Sequence, residues 1–189
     1  MHLRAGLLAS AIAALVVLPA CSEPPDKERQ QAEGALEAAR AASADTYAPT
    51  EFQEAQAALK KYDDAVAQRD YRLALNNALE ARDRAYDAVK KAGNQKAELR
   101  SQSDRLTQDL ETLFAAAGAR LTSTAGRPVG PAADRLRSAR DAGNKALQEA
   151  RTRTAKQDYP GAVEKLKPAV EALQRELPGS APAPPRKKR

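Results

Sequence analysis

Residues 74–92 read ALNNALEARDRAYDAVKKA. Alanine falls at Ala74, Ala78, Ala81, Ala85, Ala88 and Ala92, a 4–3–4–3–4 spacing. That period puts all six methyl groups on one face of an α-helix. Alanine is the best helix former and carries little bulk, so a second helix can approach this face closely. The preceding segment supplies the larger groups. Phe52, Ala55, Leu59, Tyr62 and Val66 recur at 3–4–3–4 spacing, a heptad seam. Gln68-Arg69-Asp70 separates the two as a short turn. The pair predicts an antiparallel helical hairpin, and with it an all-α fold of elongated, Ala-rich hairpins in a coiled-coil-like bundle.

The stripe extends beyond Ala92. Ala78, Ala85, Ala92, Leu99, Leu106 and Leu113 lie seven apart throughout. Gly93-Asn94 could end the helix, yet the unbroken phase favours one helix from about Tyr71 to Ala117, roughly 70 Å long. Upstream, a first helix is expected from about Lys27 to Ala44, on the spacing of Ala32, Ala35, Ala39 and Ala42. The second is expected to start at Thr50, with Thr50 and Gln53 as a capping box. Residues 123–131 read as a loop. A fourth helix follows from about Ala132 to Lys156, and a fifth from Tyr159 carries Val163, Leu166, Val170, Leu173 and Leu177. Pro168 should kink that last helix or end it early. The segments are therefore 1–20 as a signal, 21–31 as a tether, 32–122 and 132–177 as hairpins, and 178–189 as a tail.

Composition agrees with thin helices. Alanine accounts for 43 of 189 residues, and aromatics for 4%. Between residues 21 and 189 only 22 are Leu, Ile, Val or Phe. That is too few for a β-sandwich, a barrel or a thick α/β core.

The sequence holds one His, His2, and one Cys, Cys21. Ser-His-Asp and Cys-His catalysis, His- or Cys-based zinc sites and an internal disulfide are thereby excluded. No dinucleotide or P-loop glycine pattern occurs. Asp63-Asp64 is a carboxylate pair, but it sits among Lys60, Lys61 and Arg69 and reads as a solvated helix face. No catalytic, cofactor-binding or metal-ligating residue is expected, and no enzyme. A carboxylate-only glycan hydrolase would need two carboxyls across a cleft, which a thin hairpin does not offer.

Residues 1–20 carry Arg4, an apolar run from Leu7 to Leu18, and small residues before Cys21. This is the pattern of a secretory signal. Leu18-Pro19-Ala20-Cys21 is similar to the lipobox of bacterial lipoproteins, with Pro19 a departure from the commonest second residue. Cleavage before Cys21 would leave a thiol able to take a diacylglyceryl thioether, and an amine able to take a palmitate-class chain. Two or three chains anchor stably where one does not. Ser22 resembles the outer-membrane default of the enteric sorting rule.

The net charge of +6 is concentrated in the tail. Arg186-Lys187-Lys188-Arg189 contribute four positive charges, and residues 21–185 are almost neutral with 26 basic and 25 acidic residues. Behind an export signal, this cluster reads either as a contact for anionic lipid or peptidoglycan, or as a solvated tail. Nucleic acid is not expected as a partner. Exposed heptad seams make self-association an open reading.

Two motifs stand 88 residues apart. Arg69-Asp70-Tyr71 and Gln157-Asp158-Tyr159 suggest that each half is a hairpin with an Asp-Tyr turn. Tyr71 and Tyr159 read chiefly as turn-packing residues, with a ligand platform as the minor reading.

Ala44-Asp45-Thr46-Tyr47-Ala48-Pro49, Ala55 to Leu59, Asp70-Tyr71 and Ala74 to Ala81 together resemble a family of bacterial lipoproteins known only as a domain of unknown function. The resemblance spans Ala32 to Ala92, about a third of the chain. It implies an envelope location and a helical fold, and it supplies no activity. The expectation is a lipid-anchored, non-enzymatic envelope protein serving as a helical spacer or docking scaffold for a protein partner. A binder of anionic polymer through the tail is the alternative.

Overall fold

The structure is a computed structural model that describes residues 23–124 and 128–178. Among these residues it holds six helices and no strand. They are α1 (Asp26–Ala41), α2 (Ala44–Tyr47), α3 (Pro49–Ala67), α4 (Tyr71–Thr122), α5 (Pro131–Ala155) and α6 (Tyr159–Glu176). The all-α, elongated, Ala-rich hairpin architecture is as the sequence predicts.

α4 is the spine. Its 52 residues run unbroken through Gly93 and span about 78 Å. Nothing lies within 4 Å of where a Gly93 side chain would project, so packing does not break the helix there. The N-terminal half of α4 packs against α1 and α3; the C-terminal half packs against α5 and α6. The molecule is therefore two three-helix bundles joined end to end by a shared helix.

Charged pairs fix the directions. Glu54 pairs with Arg84 and Glu51 with Lys91, so α3 runs antiparallel to α4. Arg151 meets Glu111 at 3.0 Å while Gly143 faces Phe114, and Arg135 meets Glu176 at 3.4 Å while Glu149 meets Lys165 at 4.0 Å, so α5 is antiparallel to both α4 and α6.

The two cores differ in kind. All six alanines of the α4 stripe are fully buried. Ala85, Ala88 and Ala92 face Ala35, Leu36, Ala39, Phe52 and Ala55; Ala81 packs with Ala32 and Ala58, and Ala74 and Ala78 pack with Tyr62 and Ala65. The second core is built on Leu110, Leu113, Leu136, Leu166, Leu173 and Leu177. A buried leucine contributes about 1.5–3 kcal/mol and a methyl group about 0.8. The first bundle thus depends on close helix approach, the second on leucine bulk.

Several local expectations need correction. α1 starts at Asp26, one residue before the expected Lys27, so residues 26–31, counted with the tether, are helical. The first helix ends at Ala41, three residues early, because Ser43 turns left-handed at φ 60° and restarts the chain as the one-turn α2. The Thr50–Gln53 capping box does not form; α3 has Pro49 in its first turn and no side-chain cap. Proline fixes φ for helix entry and has no N–H to satisfy. α6 continues past Pro168 to Glu176. Pro168 and Glu164 both face solvent, so the carbonyl that loses its helical partner can be hydrated.

Candidate functional site

The residues that sequence singles out for function fall mostly beyond this frame. Cys21 and the basic cluster Arg186, Lys187, Lys188 and Arg189 lie outside the described residues. Asp63 and Asp64 are exposed and have separate cationic partners: Arg29 at 3.6 Å and Lys60 at 3.1 Å. The two Asp-Tyr turns are described in full, and they are nearly the same object.

Each begins with a residue near the right-handed region, Gln68 or Lys156. A left-handed residue follows, Arg69 or Gln157, both at φ 60°. The next amide reaches back across the turn: Asp70 N–H to the Ala65 carbonyl at 3.0 Å, Asp158 N–H to the Arg153 carbonyl at 2.9 Å. This is the hydrogen bond that closes a helix C-terminus in the Schellman arrangement. The aspartate then caps the next helix. Asp70 accepts from Leu73 N–H and Asp158 from Gly161 N–H, each at 2.9 Å. A cap of this kind satisfies one of the free N–H groups at a helix start. Asp158 also receives Arg153 Nη1 at 2.6 Å. The Gly161 N–H, followed by Arg153, holds its carboxyl below the ordinary carboxylate range.

The repeat extends beyond the turns. α1, α3 and the first half of α4 have the same order and directions as the second half of α4, α5 and α6. Pro49 and Pro131 occupy the first turn of the middle helix in each unit. The third helix of one unit is continuous with the first helix of the next, and this fusion makes α4 long.

The two turns have different surroundings. Tyr71 is half-buried at the free end of the rod, whereas Tyr159 is buried in the core of the first bundle. α2 completes this junction. Its Tyr47 hydroxyl donates to the Gln157 carbonyl at 2.6 Å. Burial, the largest cause, raises the Tyr47 phenol above its ordinary value. Lys96 of α4 donates to Gln157 Oε1 at 2.7 Å and stands 5.8 Å from the Tyr47 ring centroid. A cation at that distance from an aromatic face is attracted to it.

Beside the junction lies an open groove of about 750 Å³. Its floor is the α4 face from Gly93 to Gln108, and Gln157 and Tyr159 form one side. Lys96, Arg100 and Arg105 line it together with one carboxylate, Asp104. Among the described residues Arg100 and Arg105 make no ion pair. Each has an aspartate four residues on, Asp104 and Asp109, but the cation comes first, which is the weaker order on a helix. Sequence reasoning missed this groove because nothing local announces it. It exists where α1–α2 ends and α5 has not yet arrived. Among the described residues no cluster of His, Cys, Asp or Glu is arranged to hold a metal ion, and no helix is long and apolar enough to cross a membrane.

Compared with models of known protein families, with curated proteins and with solved structures, the chain finds no match.

Proposed function

We propose that this protein is a non-enzymatic envelope lipoprotein, held in the membrane through Cys21, whose helical rod serves as a spacer or protein-docking scaffold. The observation that carries this reading is the sole cysteine, placed directly behind a signal-like segment at Leu18-Pro19-Ala20-Cys21. Five residues later the rod begins at Asp26. The resemblance to helical lipoproteins of unknown function agrees with it, and Ser22 favours the outer membrane, facing the periplasm.

The shape of the rod suits such a role. Asp26 lies beside Tyr62, whose hydroxyl donates to Asp26 Oδ1 at 3.3 Å, close to the α3–α4 turn. Leu177 is buried in the second core with Leu113 and Ala117, at the other end of α4. A chain anchored at Cys21 would carry its distal bundle tens of ångströms from the bilayer. Pro178, the last described residue, follows Leu177 at that far end, eight residues before Arg186. This favours a second reading, in which Arg186, Lys187, Lys188 and Arg189 contact peptidoglycan or another anionic polymer away from the anchor membrane.

Metabolic labelling with an alkyne fatty acid, followed by fractionation, tests the anchor. Label and membrane association should be present in the unaltered protein and lost in Cys21→Ser. An unlabelled wild type would remove the proposal. For the tail, deletion of 186–189 should abolish salt-sensitive co-sedimentation with sacculi; equal pelleting would remove the second reading.

A further inference from the structure

The groove beside the junction is a gap in a row of helices. Arg82, Tyr86, Gly93, Ala97, Arg100, Asp104 and Glu111 share one face of α4, at spacings of 4, 7, 4, 3, 4 and 7. At the upper end α1 runs beside this face, with Arg82 reaching Gln31 at 3.5 Å while Tyr86 stays exposed. At the lower end α5 runs beside it, with Arg151 reaching the exposed Glu111 at 3.0 Å. Between them the face from Gly93 to Gln108 is open for about 22 Å, four turns of helix.

From this placement we infer that the gap docks an acidic helix of a partner protein, about four turns long, laid between α1 and α5. The inference deepens the docking-scaffold reading above and rests on it.

Charge selects the occupant. The α5 cations Arg151 and Arg153 are already paired with carboxylates of the chain, Glu111 and Asp158. Arg100 and Arg105 have no such partner among the described residues, and Lys96 is held by an amide oxygen and not by a carboxylate. An arginine fork recognises carboxylates with two parallel hydrogen bonds. Asp104 stands among these cations and would repel a dense, uniform polyanion. A helix of mixed charge, acidic in excess, can place carboxylates on Arg100 and Arg105 and keep a neutral or basic residue at Asp104. Gly93 and Ala97 leave the floor shallow, so a helix can come close to α4.

The test uses the purified full chain and an 18-residue Ala-rich helical peptide with one glutamate per turn, followed by fluorescence anisotropy. The same peptide with glutamine in place of glutamate is the control. Binding of the glutamate peptide should weaken at least tenfold in the double variant Arg100→Glu/Arg105→Glu. It should be unchanged in Arg72→Glu/Arg120→Glu, which reverses two exposed charges elsewhere on α4. All four positions are exposed, and circular dichroism checks that each variant keeps its helix content. Equal affinity for both peptides, or equal loss in both double variants, would overturn the inference. So would short-chain polyphosphate binding at Arg100 and Arg105 where the glutamate peptide does not. The anchor reading is judged separately by Cys21 labelling, so failure of one leaves the other standing.

Discussion

The hydroxyl of Tyr47 donates a hydrogen bond of 2.6 Å to the backbone carbonyl of Gln157, a residue 110 positions away in sequence. It ties the corner between α1 and α3 to the left-handed residue of the second turn. With Tyr159 buried in the first core, it is the main polar link between the two bundles apart from α4 itself.

Tyr47→Phe should therefore loosen the junction without unfolding either bundle. The ring stays, the donor goes, and a half-buried carbonyl loses its partner. The expected loss is about 1–2 kcal/mol. Hydrogen exchange should show it as faster exchange at residues 156–160, with the Ala stripe of α4 less affected. Unchanged exchange there would mean that the bond holds nothing together.

Alkaline pH should weaken the same contact. Burial raises the Tyr47 phenol above 10.0, and burial likewise raises Tyr62. The folded state then holds these protons more tightly than the unfolded chain does. Their contribution is fully present below pH 10 and is lost as pH rises through the folded values. Thermal melts should fall more steeply above pH 10 in the unaltered protein than in Tyr47→Phe/Tyr62→Phe.

The Asp158 cap predicts an acid limb. Asp158→Ala and Asp70→Ala should each cost about 1 kcal/mol, the usual worth of an N-cap. Asp158 also has Arg153, so its substitution should cost more than that of Asp70. Its carboxyl is held below 3.8, so the stabilisation is present above that pH and lost as pH falls through the folded value. Urea melts from pH 5 down to pH 2 should converge for the unaltered protein and Asp158→Ala.

Two glycines in helices should respond oppositely to alanine. At Gly93 an added methyl meets open space, and α4 gains from lower unfolded-state entropy; Gly93→Ala should stabilise by up to about 1 kcal/mol. At Gly143 the methyl would lie 2.8 Å from Phe114 Cε1. Gly143→Ala should destabilise by about 1–3 kcal/mol through overpacking. Differential scanning calorimetry on the pair decides both signs.

These positions show where sequence was readable and where it was not. The alanine stripe of α4 was legible because period and residue type agree, and burial at all six positions follows from it. The turn repeat was legible because Asp70 and Asp158 perform the same local task, bonding an amide three residues on. Pro168 does not end α6 early, because its effect depends on which way it faces: on the solvent side a freed carbonyl finds water. The corner at Ser43 was missed because nothing in its neighbours demands a left-handed residue that is not glycine. The groove was invisible for a different reason. Arg100 and Arg105 look like ordinary surface charges until α1 and α5 are seen to stop on either side of them.

The central claim is a continuous α4 that holds the two ends of the molecule apart. Spin labels at Arg72→Cys and Arg120→Cys, in a Cys21→Ser background, test it by double electron–electron resonance. Both sites are exposed, and 48 residues of helix separate them by about 72 Å. A single narrow distribution near that distance is the predicted result. A population below about 50 Å would mean that the helix folds back near Gly93, and would contradict the rod.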